Sequence, residues 1–386
     1  LQHTQALSNA LNRLGGSGSS GLSLNLNRVS DDNYWRDFPR ASATLTQRLL
    51  PSDAVVSWGK GPWSASAGVY TWQTLQDIDT PITPPYDRLP SLGLNYGLSD
   101  LNWGGLSGRG AVSVYGEYTR FESDPLLTGQ PNGERAMAVA TISHRFQTPG
   151  WFIEPRARLH STQYNFDQPL ANGQRSASRA VPTVSLDSGL VFERDASYFG
   201  RAFLQTLEPR AFFTWTPYRD QRLLPNYDSA ATDFNLATIY SDNVFTGNDR
   251  ISDTRGVTLG VSSRLLDPGT GAEIVRLGIA QRYLLADQDV TLPGGTPVQE
   301  RFSDVLLAAR VQWTPRWLLD TTFQYNPSSN ESVRTTVSAR YTPGPYRVLS
   351  AAWRLQRGST EQFDLGWQWP LSGLFDRAPD PVPGRA

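Results

Sequence analysis

The chain has 386 residues, no cysteine, and 35 Lys+Arg against 36 Asp+Glu, for a formal net charge of −1. That balance argues against a broad electrostatic grip on nucleic acid or on an anionic lipid surface. Without cysteine the chain holds no disulfide scaffold, thiolate zinc site or cysteine nucleophile, and no stretch approaches the roughly 18 consecutive apolar residues of a transmembrane helix. Aromatic residues make up 11% and there are 33 glycines. This excess in a polar chain points to β structure: a large soluble β protein, or an outer-membrane barrel whose polar lumenal residues lower the average hydropathy.

Period-two alternation is the strongest signal along the chain. About sixteen runs carry it, near 21–29, 54–59, 63–73, 90–99, 109–119, 135–147, 151–161, 180–193, 203–216, 255–266, 273–284, 303–314, 317–326, 331–342, 346–357 and 361–369. Segment 41–49 reads equally as a strand piece or a short loop helix. In the run from Gly256 to Arg264, Val257, Leu259 and Val261 share one face, predicted to meet lipid. Thr258, Ser262 and Arg264 share the other. Many runs are about 9–12 residues long, which suits a tilted strand crossing a bilayer better than the five or six of a typical soluble strand.

The connections alternate in length. Short ones fall at Lys60–Pro62, Thr148–Gly150, Asp267–Ala272 and Pro315–Arg316; long ones fall at 30–53, 74–89, 120–134, 162–179, 217–254 and 285–302. In an up-and-down meander alternate connections emerge at the same end, so one end has tight turns and the other large loops, as in outer-membrane barrels. Trp58, Trp63, Trp151, Trp313, Trp317, Tyr341 and Tyr346 flank the tight turns, as an interfacial girdle would. The expected fold is therefore all-β: a large antiparallel transmembrane up-and-down β-barrel. Residues 1–370 are expected to form the barrel segment and 371–386 a Pro-rich tail. Leu1–Leu7 reads as half a strand, and the chain does not finish on an amphipathic strand. Both suggest a segment of a larger barrel, since an unpaired edge in hydrocarbon is costly.

Between 181 and 267 the sequence becomes specific. Phe-Glu-Arg-Asp at 192–195, Leu-Glu-Pro-Arg at 207–210, Pro-Tyr-Arg-Asp-Gln at 217–221, Asn-Tyr-Asp-Ser at 226–229 and Asn-Asp-Arg-Ile at 248–251 follow in order, with Val29–Phe38 as an earlier element. This ordered set resembles the C-terminal barrel of the LPS-assembly LptD family, outer-membrane lipopolysaccharide translocons. The resemblance implies a barrel of about 26 strands, at the upper end of the ordinary range, placed after a periplasmic β-jellyroll. It also implies a plug lipoprotein, LptE, inside the barrel, a periplasmic Lpt bridge delivering lipopolysaccharide, and sideways exit of the cargo between the first and last strands. The jellyroll and both seam strands are expected to be missing from this chain, so no gate residue is assigned.

Two candidate sites follow. Glu193, Arg194 and Asp195 end a strand at the short-turn side. Glu208 and Arg210, two apart, share a face that their charge assigns to the lumen, as it does Arg264. Pro209 between them cannot donate a ladder bond and predicts a bulge or local break. This charge network either touches the plug or cargo phosphates or only holds strands in register. The second is favoured, because buried charges must pair wherever they sit. Loop 217–254, with Tyr218, Arg219, Asp220, Asn226, Tyr227, Asp228, Asp249 and Arg250, is far longer than an ordinary connection. It either folds into the barrel mouth or packs on the surface of its neighbours.

No enzyme signature competes. His3, His144 and His160 lack metal-ligand spacing, and there is no G-x-S-x-G elbow or Walker motif, so neither catalysis nor a cofactor is expected. The serious alternative is a general porin or a plugged transporter for small solutes.

Overall fold

The computed structural model describes residues 2–6, 18–33, 48–77, 79–103 and 107–370. Among the described residues eighteen strands form one sheet. They are β1 (Gln2–Ala6), β2 (Ser19–Asn25), β3 (Leu49–Lys60), β4 (Trp63–Thr74), β5 (Asp87–Leu101), β6 (Arg109–Glu122), β7 (Gly133–Thr148), β8 (Trp151–Phe166) and β9 (Ser176–Leu190). They continue as β10 (Phe192–Tyr198), β11 (Arg201–Trp215), β12 (Arg255–Leu266), β13 (Glu273–Leu284), β14 (Val305–Thr314), β15 (Trp317–Asn326), β16 (Glu331–Gly344), β17 (Arg347–Gln356) and β18 (Thr360–Gln368). Every pairing is antiparallel between chain neighbours, except that β11 takes both β9 and β10 on one side. The expected segments at 34–38 and 41–47 and the tail 371–386 lie outside the described residues.

Sixteen expected runs became eighteen strands for two reasons. The half-strand at the start pairs with β2, Gln2 opposite Asn25. The run 180–193 divides into β9 and β10 where it faces Pro209. Gly189 lies opposite Arg210 and Phe192 opposite Leu207, so the register is unbroken. Pro209 has no N–H for the ladder, so pairing with β11 lapses at Leu190 and Val191, while on the β8 side the Val191 N–H still donates to the Gly150 carbonyl, 2.8 Å away. The result is a local break without a bulge. β10 then closes a tight hairpin through Phe199 and Gly200, both at positive φ, which suits the glycine and strains the phenylalanine.

The two faces of the sheet differ as the alternation requires. Outward positions carry exposed apolar side chains on successive strands, among them Leu94, Val114, Ile142, Leu159, Leu186, Leu277, Leu319 and Leu365. Leu259 is 60% exposed while its neighbour Thr258 is 1% exposed, which separates lipid-facing from lumenal positions on β12. A continuous apolar band of this extent marks a membrane surface. Aromatic pairs border it at both ends. Trp63–Tyr96 and Trp317–Tyr341 stand at the tight turns, with ring centroids 4.6 and 4.4 Å apart, and Tyr283–Phe302 stands at the loop end, 5.0 Å apart.

The tightest packing lies on the lumenal side, between the wall and the connection 216–254. Tyr86, Phe121, Tyr164 and Phe166 pack on Leu224 and Tyr227 of that loop. Ala280 and Leu306 pack on Ile239. The loop thus lies inside the barrel against its wall.

Candidate functional site at the lumenal loop

The loop 216–254 is built from two short motifs that close on each other. In the first, Asn226 bonds the Ser229 carbonyl at 2.8 Å. Asp249 of the second accepts the backbone N–H groups of Tyr227 (2.7 Å) and Asp228 (2.9 Å) on one carboxylate oxygen. Ser229 Oγ returns the bond by accepting the N–H groups of Asp249 and Arg250, at 2.9 and 3.0 Å. Arg250 donates to the Leu224 and Pro225 carbonyls at 2.8 and 3.0 Å, which pins the chain before the first motif. Gln221 Nε2 donates to the Ile251 carbonyl at 2.8 Å.

Arg135 on β7 joins this unit to the wall. Its side chain is 1% exposed and reaches three carboxylates: Asp228 at 2.6 Å, Glu117 of β6 at 2.7 Å and Asp249 at 2.9 Å. Tyr164 Oη of β8 donates to Asp249 at 2.8 Å. Arg179 at the start of β9 donates to Gln221 and to the carbonyls of Asn248 and Asp249. Burial works to raise the Asp228 carboxyl, but the Arg135 guanidinium and the Asn248 N–H overcome it and hold the group well below the ordinary carboxylate range. Asp249 is completely buried, and burial raises it. One arginine therefore serves two unequal acids, and each depends on it to stay charged away from water.

The far side of the loop is held as firmly. Arg282 of β13 donates to the carbonyls of Ile239 and Ser241 and to Thr258 Oγ1 of β12. Arg158 of β8 pairs with Asp242 at 2.9 Å. Arg210 packs its guanidinium 4.1 Å from the Tyr240 ring centroid, and Arg334 of β16 reaches Asp233. The loop thus touches β6 to β9 on one flank, β12 and β13 in the middle and β16 on the other.

The residues expected from sequence separate into three groups. Asn226, Tyr227, Asp228, Asp249 and Arg250 come together as described, and the Tyr227 hydroxyl donates to the Pro131 carbonyl at 3.1 Å. Tyr218, Arg219 and Asp220 stand apart at the loop entrance. There Arg219 bonds the Ala180 carbonyl at 3.3 Å, and the Arg222 guanidinium beside Asp220 holds its carboxyl at about 2. Among the strand charges, Arg210 pairs with Asp187 of β9 at 2.6 Å. Arg264 Nε donates to Glu208 at 2.6 Å. Both are bonds between adjacent strands.

Glu193, Arg194 and Asp195 do not join these pairs. Three consecutive strand residues cannot share a face, and Arg194 lies on the outward side with Gln205, 2.9 Å away. Among the described residues no ion pair reaches Glu193 or Asp195. Sequence reasoning also missed Arg135, Glu117, Tyr164, Arg179 and Arg282. Their one sequence signal is a large polar residue at a lumenal alternation position; for all but Glu117 it falls within three residues of the strand's long-loop end.

An up-and-down sheet with an apolar outer band, aromatic borders and a polar inner face filled by its own loop is an outer-membrane β-barrel. The model of the family LPS transport system D matches residues 1–375. The chain is 57% identical over 375 residues to the LPS-assembly protein LptD of Polaromonas sp. (strain JS666), an alignment covering 97% of this chain and 45% of that protein. It is 56% identical over 378 residues to the protein of that name from Acidovorax sp. (strain JS42), covering 94% and 46%. It is 38% identical over 385 residues to that of Ralstonia nicotianae, covering 96% and 45%. The chain belongs to the LptD family and spans a little under half the length of the curated relatives it matches.

Proposed function

We propose that this chain forms the barrel wall of an outer-membrane translocon that inserts lipopolysaccharide into the outer leaflet. Sugars move through the polar lumen while acyl chains enter the membrane through a lateral opening. Loop 216–254 closes the mouth against leakage and shifts when cargo passes. LptE fills lumenal space beside it, and a domain upstream takes the cargo from the periplasmic Lpt bridge. The charged pairs Arg210–Asp187 and Glu208–Arg264 hold strands in register.

The observation that carries this reading is the match to the family over residues 1–375. The polar, loop-filled lumen supports it, since such an interior suits a cargo with a large sugar portion. The test is depletion in the source cell. Newly made lipopolysaccharide should accumulate short of the surface, with small-solute uptake unchanged at first. Normal surface lipopolysaccharide with loss of one nutrient's uptake would favour a small-solute transporter instead.

A further inference from the structure

The lumenal face near the tight turns carries arginines that cross-strand pairing with carboxylates balances only in part. The register sets Arg264 directly opposite Arg276, and Arg276 directly opposite Arg310, across β12, β13 and β14. Like charges directly opposite in an antiparallel pair are destabilising, with Cβ atoms roughly 5 Å apart. Arg264 is relieved by Glu208. Among the described residues Arg276 pairs only with Glu273, three residues back at the edge of the turn. Arg310 lies directly opposite Asp320 across β14 and β15, but their nearest N···O distance is a loose 3.8 Å, and among the described residues no other carboxylate pairs with it. The side chains of Arg276 and Arg310 are 56% and 53% exposed, so both guanidinia retain free donors.

Both arginines line a lumenal cavity of about 680 Å³, where Arg145 and Arg210 join them against the carboxylates Asp187, Glu208 and Asp320. Leu236 and Tyr240 of the lumenal loop border the same cavity. Arg310 also lines a second cavity of about 490 Å³, with Arg340 of β16 on its wall. Arg276, Arg310 and Arg340 thus form a stripe linking two cavities at the turn end of the barrel, the periplasmic end in proteins of this construction.

We infer that Arg276 and Arg310 together bind a phosphate monoester on the headgroup of an anionic glycolipid entering the lumen. The assignment rests on the reading of the lumen as the cargo's path. Two facing guanidinium forks offer two positive charges and more donors than one carboxylate can use. A phosphate monoester brings nearly two negative charges and three strong acceptor oxygens, and so meets both forks at once. The chain's positive charge is almost all arginine, Lys60 being the single lysine, and arginine is the side chain whose planar fork reads phosphate bidentately.

The test uses the full-length protein in its native complex, with lipopolysaccharide, the same lipopolysaccharide stripped of its phosphates, and inorganic phosphate as probes. Wild type should bind the phosphorylated lipid about tenfold more tightly than the stripped one. The Arg276→Gln/Arg310→Gln variant should lose that preference while binding the stripped lipid as wild type does. Heat-modifiable electrophoretic mobility checks that its barrel is intact, and Arg276→Lys/Arg310→Lys should restore part of the preference. Equal preference in wild type and the Gln variant would overturn the inference and leave the proposed cargo standing. Inorganic phosphate binding as tightly as the lipid would also overturn it, in favour of a free-anion site. A wild type that bound neither lipid would remove the cargo reading and the inference together.

Discussion

Replacing Arg135 by methionine should release the lumenal loop from the wall without unfolding the barrel. Arg135 is 1% exposed and lies within 2.9 Å of three carboxylates, of which Asp249 is completely buried and Asp228 nearly so. Methionine matches much of the volume and leaves the acids without a counter-charge. Removing one partner of a buried ion pair costs about 3–5 kcal/mol, which corresponds to more than a hundredfold in the docking equilibrium at about 1.4 kcal/mol per decade. The ladder bonds of β6, β7 and β8 are backbone bonds and remain. Hydrogen exchange should therefore rise strongly across 224–250, with β6 to β9 staying protected. Cells carrying the variant should admit large antibiotics more readily. Unchanged exchange in the loop beside an intact barrel would refute the idea that Arg135 anchors it.

Other consequences follow from the same geometry. Leu259→Arg, at an outward position 60% exposed, should destabilise the barrel by about 2–4 kcal/mol if it sits near mid-bilayer. Spin labels at 257, 259 and 261 should report lipid, and water there would contradict the facing. Asp228 is held below its ordinary value, so its contribution to docking is complete above about pH 4 and is lost as pH falls further toward its folded value. Acid should free the loop only in that range, and Asp228→Asn should flatten the dependence; release centred near neutral pH would be inconsistent. A Cβ at Gly260 would meet Tyr240 Oη, Ala280 Cβ (2.9 Å) and the Ile279 carbonyl (3.0 Å). Gly260→Val should thus displace Tyr240 from Arg210, seen as increased quenching of loop tyrosine fluorescence with the wall still folded.

Much of the wall was legible because a strand at a membrane obeys a strict rule of two. Val257, Leu259 and Val261 had to face one way once Arg264 faced the other, and alternating turn lengths gave the two ends. The break at Pro209 was legible from a missing donor, though its form was not: the register runs on unshifted across it, so a lapse in pairing and not a bulge results. Arg194 was misread because a charged triplet was taken as one unit, although its members alternate faces. The loop's two motifs were visible as motifs, but their partner was not. Arg135 lies 93 residues from Asp228 and 114 from Asp249. Alternation assigns it only to the lumen, and its three carboxylates converge through barrel curvature and loop return, neither of which has a local signature.

The central proposal is that the cargo's sugars pass through the lumen beside the loop-filled wall. Photocrosslinking in growing cells tests it most directly, with the crosslinker at lumenal Thr322 or at its outward neighbour Phe323 during a pulse of labelled lipopolysaccharide. Position 322 should capture newly made lipopolysaccharide through its sugar portion, and position 323 should not. Normal delivery of lipopolysaccharide to the surface with no capture at 322 or at other lumenal positions such as Ser338 would contradict the account.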